Sequence, residues 1–153
     1  MAQLNRYVRQ GLLQNPRKGI YAKRSYRPEE LACSMYHPSY VSLEFVLQRA
    51  GVVFQYDDSI TSVSYLSRTV EIDEHLYSFR KIDPLLWGGM DGILIQDNVC
   101  MATPERAFLD MVYLSAGNCY FDNLRPLNRS LIRKLLPHYQ SQKLTERITH
   151  ILS

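Results

Sequence analysis

Several things are scarce in this chain, and each scarcity narrows the reading. There are only three cysteines, Cys33, Cys100 and Cys119, with no CxxC and no Cys/His pair at zinc spacing. That argues against a disulfide framework and a zinc knot, and it suits reduced thiols in a cytosol. No run approaches the ~18 apolar residues of a membrane span. The basic N-terminal stretch has no apolar core after it, so no signal peptide is expected. There is no GxGxxG, P-loop, HExxH or GxSxG pattern. A metal-dependent nuclease would pair an acid on one strand with Asp/Glu-x-Lys on the next. Glu71 could be the first acid, but the strand around Phe79-Arg80-Lys81 lacks the second. Residues 1–27 contain no acid at all.

What is present is a 153-residue chain, 46% hydrophobic, enough for one main domain with a real core. Its net charge of +3 conceals a segregation. Residues 1–27 carry +7, residues 28–124 carry −9 and residues 125–153 carry +5. Basic ends around an acidic body suggest a polyanion-facing arm and a body with another partner; solvated tails are the plainer alternative. Eleven tyrosines favour interfaces and half-buried sheet.

The clearest element is the helix opening at Thr103-Pro104-Glu105. Thr103 is an N-cap, Pro104 suits the first helical position, and Glu105 meets the positive end of the dipole. Ala107, Phe108, Met111 and Val112 form its apolar stripe. Arg106 and Asp110, four apart, are neighbours on it. Taken alone they are a surface ion pair. Taken with the strand that leads into the helix, they are residues that fix it on its sheet.

Upstream, the pattern predicts a short helix over Leu4–Gln10 and then a hairpin with strands at Leu12–Gln14 and Ile20–Ala22 around a basic turn, Asn15–Gly19. A helix followed by a basic hairpin is the second half of a winged helix. In that geometry Arg6 and Arg9 face the groove or phosphates, and Arg17 and Lys18 touch phosphates. A charged arm packed on its own body is the alternative. Pro28-Glu29-Glu30 opens a helix closed by His37-Pro38. Tyr40–Val52 is the second strong segment, a helix with Ser42 as N-cap, Leu43, Val46, Leu47 and Ala50 as its apolar stripe and Gly51 at C′. Strands are expected at Ile60–Tyr65, Thr69–Ile72, Leu76–Ile82, Gly92–Gln96 and Val99–Ala102, with turns at Asp73–His75 and Asp97-Asn98. Two further helices follow, Ser130–Leu136 and Ser141–Leu152. Their polar faces carry Arg129, Arg133, Lys134, Lys143 and Arg147, of which Arg129, Arg133 and Lys134 are candidate nucleic-acid contacts. The fold class is α+β, a mostly antiparallel or mixed central sheet packed by helices and preceded by a partial winged helix.

Three stretches together carry a family resemblance: Gly19-Ile20-Tyr21 closing the hairpin, Tyr40-Val41-Ser42-Leu43-Glu44-Phe45-Val46-Leu47 with Gly51, and Ala102-Thr103-Pro104-Glu105-Arg106-Ala107-Phe108-Leu109-Asp110. In this order they resemble the AbiEi-type antitoxins of bacterial type IV toxin–antitoxin (abortive infection) systems. The similarity covers most of residues 11–115. It implies a cytoplasmic, non-enzymatic antitoxin that counteracts a nucleotidyltransferase-like toxin and needs no cofactor or metal. It also implies a winged helix that binds promoter DNA and represses its own operon. A direct complex with the toxin is not part of the usual description. The expected domains are 1–27, a recognition-helix remnant and wing, and 28–153, the antitoxin α/β domain. The family's helices that precede the recognition helix have no counterpart before Leu4, so a homodimer is one way to complete the DNA contact. The competing readings are a non-catalytic protein-interaction module without DNA binding, and a nuclease-like enzyme built from Glu71, Asp73, Asp91 or Asp110.

Overall fold

The computed structural model describes residues 13–17, 20–23 and 26–153. The helix expected over Leu4–Gln10 lies outside them. The hairpin is formed by β1 (Leu13–Arg17) and β2 (Ile20–Lys23), paired antiparallel. Its first strand runs on through Asn15-Pro16-Arg17, which the sequence assigns to the turn. The register shifts between Gln14 and Arg17. Such a shift accommodates Pro16, which has no N–H to give a ladder.

The body is α+β. A six-stranded mixed sheet has the order β5-β6-β4-β3-β8-β7. Its strands are β3 (Ser39–Val41), β4 (Ile60–Ser64), β5 (Arg68–Ile72), β6 (His75–Lys81), β7 (Ile93–Gln96) and β8 (Val99–Ala102). The pairs β4–β6 and β3–β8 are parallel; β3–β4, β5–β6 and β7–β8 are antiparallel. The two hairpins turn on Asp73-Glu74 and Asp97-Asn98, all four residues at positive φ. That is the primed geometry matching strand twist, and Asn and Asp tolerate it.

The helices are α1 (Pro28–Met35), α2 (Glu44–Arg49), α3 (Pro104–Ser115), α4 (Arg129–Leu135) and α5 (Gln142–Leu152). Alternation along β6 sorts them onto two faces. Phe79 meets Tyr36, just beyond α1, edge-on at 4.8 Å. Its neighbour Arg80 points the other way, to the Leu114 carbonyl of α3. One face of the sheet is therefore covered by α1 and the other by α3, against which α4 and α5 pack. Phe108, on α3, is fully buried and packs on Phe121. Thr103 caps α3 by accepting from the Arg106 N–H, as its sequence predicts.

The helix expected behind a Ser42 cap is corrected at its start. Tyr40 and Val41 are strand, paired with Val63 and Ser62 of β4, and Val41 also with Met101 of β8. Aromatic and β-branched residues flanked by two strands favour this outcome. Leu43 then takes φ 65°, and the helix starts only at Glu44. Ser42 makes no cap; its hydroxyl is used elsewhere. The other end agrees with the sequence, with Gly51 at φ +76° just past the helix. Among the described residues no helix is long and apolar enough to cross a membrane.

Candidate functional site

Tyr40 and Ser42 are two residues apart on an extended segment, so both side chains leave the sheet on the α3 face. There they meet the middle of α3. Asp110 Oδ2 accepts from the Tyr40 hydroxyl at 2.9 Å and from the Ser42 hydroxyl at 2.7 Å. Its Oδ1 accepts from the Tyr139 hydroxyl at 2.5 Å. Tyr139 comes from a 3-10 turn, Leu136–Tyr139, that continues α4. One carboxylate thus ties the sheet, α3 and the C-terminal helices together.

Arg106 is one turn earlier on α3. Its Nε donates to the Tyr40 hydroxyl at 3.4 Å, its guanidinium carbon lies 5.0 Å from that ring's centre, and its Nη1 donates to the Asp91 carbonyl. Arg106 and Asp110 are 1% and 0% exposed, so the surface ion pair is corrected. They act on one another through the Tyr40 hydroxyl, which accepts from the cation and donates to the anion. Helical spacing places two residues side by side but says nothing of what closes over them.

Burial disfavours the Asp110 carboxylate more than Arg106 and the three hydroxyls favour it, so its pKa lies above the ordinary aspartate value. Burial and the Asp110 charge together push Tyr40 and Tyr139 well above the ordinary tyrosine value. Both hydroxyls therefore remain donors. Burial also works against the Arg106 charge, but Tyr40, Asp110 and Tyr139 outweigh it and hold its pKa up. The network is a fixed, charged tie with no face open to solvent.

A groove of about 460 Å3 opens on the opposite face of the sheet. Leu94, Met101 and Val46 form its apolar floor, and Arg27, Glu29, Arg49 and Asp97 its rim. Arg49 is bound to Glu29 at 2.7 Å, and Arg27 donates to the Asp97 carbonyl at 3.4 Å, so the rim charges are largely engaged.

The residues singled out in the sequence fall in separate places. Arg6, Arg9 and Lys18 lie outside the described residues, and Arg17 ends β1. Arg129, Arg133 and Lys134 share α4 and are exposed. Arg129 donates to the Leu152 carbonyl at 2.8 Å, tying the end of α5. With Arg133 it borders a cleft of about 290 Å3 between α4 and α5.

The acids do not converge. Glu71 is exposed on β5, Asp73 accepts from the Tyr26 hydroxyl at 2.5 Å, and Asp91 faces His138 at 3.0 Å. Among the described residues no three His, Cys, Asp or Glu side chains are grouped to hold a metal ion. The three cysteines are free. Cys33 is half-buried against the Cys100 backbone, and burial pushes its thiol up to about 11. Tyr40, Ser42 and Tyr139 are what the sequence reading missed. Tyr40 and Ser42 stand in the stretch that carries the resemblance, with Ser42 expected as a helix cap, but nothing local marks Tyr139. No protein-family model, curated protein or solved structure matches the chain.

Proposed function

We propose that this protein is a non-enzymatic, cytoplasmic antitoxin of the AbiEi type. It counteracts a nucleotidyltransferase-like toxin and represses its own promoter through its basic segments. One observation carries the reading: the Tyr40–Gly51 and Ala102–Asp110 stretches, which bear the resemblance, meet at Asp110. They form a single structural unit, joined by the Tyr40 and Ser42 hydroxyls.

Two further features support it. Asp110 has no solvent-exposed surface, and Asp91, in the loop before β7, has His138 as its partner while Asp73, in the turn after β5, has Tyr26, which favours a regulatory role over hydrolysis. The basic residues Arg133 and Lys134 are exposed on α4 and free to meet a polyanion.

A protein-interaction module without DNA binding is the second reading. It is favoured by exposed Phe54, Tyr56 and Tyr120 beside Asp57, Asp58 and Asp122, an aromatic and acidic end suited to a basic protein face. Co-expression with the product of the adjacent reading frame tests the first reading. Restored growth of toxin-arrested cells is the expected result; continued arrest with the protein folded and abundant overturns it. A gel shift on upstream DNA separates the two readings, because phosphate contacts make affinity fall steeply with salt.

A further inference from the structure

The central sheet has two outer strands, and they are built differently. On β5, Arg68 and Glu71 are exposed and charged. Charges on an edge strand discourage pairing with another chain. The other edge, β7, reads Ile93-Leu94-Ile95-Gln96 and carries no charge, proline or bulge. Leu94 and Ile95 are each 64% exposed, one on either face of the sheet.

The backbone shows which groups this edge offers. The Thr103 N–H donates to the Gly92 carbonyl at 2.8 Å, so Gly92 faces β8. In an antiparallel ladder the inward residues alternate, so Leu94 and Gln96 also face β8, while Ile93 and Ile95 face outward. The tight Asp97-Asn98 turn requires the same phase, with Gln96 and Val99 as its closing pair. The Ile93 N–H is occupied by the Met90 carbonyl at 3.0 Å. Among the described residues, the N–H and C=O of Ile95 and the C=O of Ile93 are left facing the open edge.

The geometry points to a second copy of this chain as the partner, added antiparallel along β7 about a two-fold axis. Of the registers that keep outward residues opposite one another, those centred on Leu94 and on Ile95 overlap β7 furthest. Centring on Leu94 would set Asp97 opposite Asp91 of the other copy, a like-charge pair on both sides of the axis, and such pairs are destabilising. Centring on Ile95 sets Asp97 opposite Ile93 and Gln96 opposite Leu94, with no charge facing its like. Ile95 then exchanges both hydrogen bonds with its own copy, and the two exposed isoleucines pack side by side. An isologous contact of this kind closes after two chains. The charged β5 edge does not extend it. The groove beside Leu94 would gain the second copy's strand as an added wall. This proposal stands apart from the antitoxin reading and uses none of its residues.

Sedimentation equilibrium of the full chain over a range of concentrations tests it. The expected apparent mass rises from one chain to two and no further. Ile95→Lys, at an exposed position, is expected to be folded by circular dichroism and monomeric throughout. Thr69→Lys on the β5 edge is expected to leave the dimer unchanged. In a Cys100→Ser background, which removes the native thiol opposite Ile95 on β8, mild oxidation of Ile95→Cys is expected to give a cross-linked dimer, since directly opposed strand residues lie within disulfide reach. A wild-type chain that stays monomeric, or a dimer that survives Ile95→Lys, overturns the proposal. Faster cross-linking through Leu94→Cys than through Ile95→Cys overturns the register.

Discussion

Replacing Arg106 with methionine keeps much of the side chain's length and removes the guanidinium beside the Asp110 network. The carboxylate is then fully buried with three hydroxyl donors and, among the described residues, no opposing cation. The cation reaches Asp110 through the Tyr40 hydroxyl and not by a direct ion pair, so the loss is that of a charged donor's hydrogen bonds, about 1.5–3 kcal/mol of the ~5–15 kcal/mol that holds a domain of ordinary stability. Part of that loss is independent of pH: the hydrogen bonds to Tyr40 and the Asp91 carbonyl disappear whatever the state of Asp110. The rest is not.

The Asp110 pKa is raised in the folded protein, first by burial, and in the unfolded chain it returns to ~3.9. A raised folded value means that its contribution to stability is complete below the unfolded value and is lost as pH rises through the folded one. Without Arg106 the folded value moves higher still, so the loss continues further. The gap between wild type and Arg106→Met should therefore be smallest near pH 4, where only its pH-independent part remains, and widen as pH rises. Urea unfolding followed by far-ultraviolet circular dichroism across that range measures it. Adding Asp110→Asn to Arg106→Met should flatten the difference. A gap that is the same at every pH, or largest in acid, would refute the buried-tie account.

Phe108→Ala should destabilise by ~3–5 kcal/mol, because the ring is fully buried against Phe121; thermal melts check it, and a variant as stable as wild type contradicts it. Thr103→Ala should cost about 1 kcal/mol in the same assay through loss of the cap on α3. Arg133→Ala with Lys134→Ala should leave stability unchanged while weakening upstream-DNA binding and lowering its salt slope by about the number of phosphate contacts removed, as read by fluorescence anisotropy at several ionic strengths.

Alternation and turn chemistry made β4 to β8 and both hairpins readable, since Asp73-Glu74 and Asp97-Asn98 sit where the apolar period breaks. The cap at Thr103 made the start of α3 readable to the residue. The start of α2 was misread because Ser42 fits a helix cap and Leu43, Val46, Leu47 and Ala50 a helical stripe. Only the neighbouring strands β4 and β8, remote in sequence, decide for the sheet. The network was half legible for the same reason. Spacing puts Arg106 and Asp110 together, but their burial depends on Tyr139 arriving from 29 residues away. Long-range closure of this kind leaves no local pattern.

The central claim is that the Asp110 tie is the scaffold of an antitoxin and not its working surface. Tyr139→Phe removes one donor to a charged acceptor, a loss of ~1.5–3 kcal/mol that a stable domain survives. Growth of cells expressing the product of the adjacent reading frame, which the proposed function makes a toxin, with wild type or with Tyr139→Phe at a temperature where circular dichroism shows the variant folded, is the direct measurement. The expected result is equal rescue by both. Failure of wild type to rescue, or failure of a folded Tyr139→Phe protein beside a wild type that succeeds, would contradict the account.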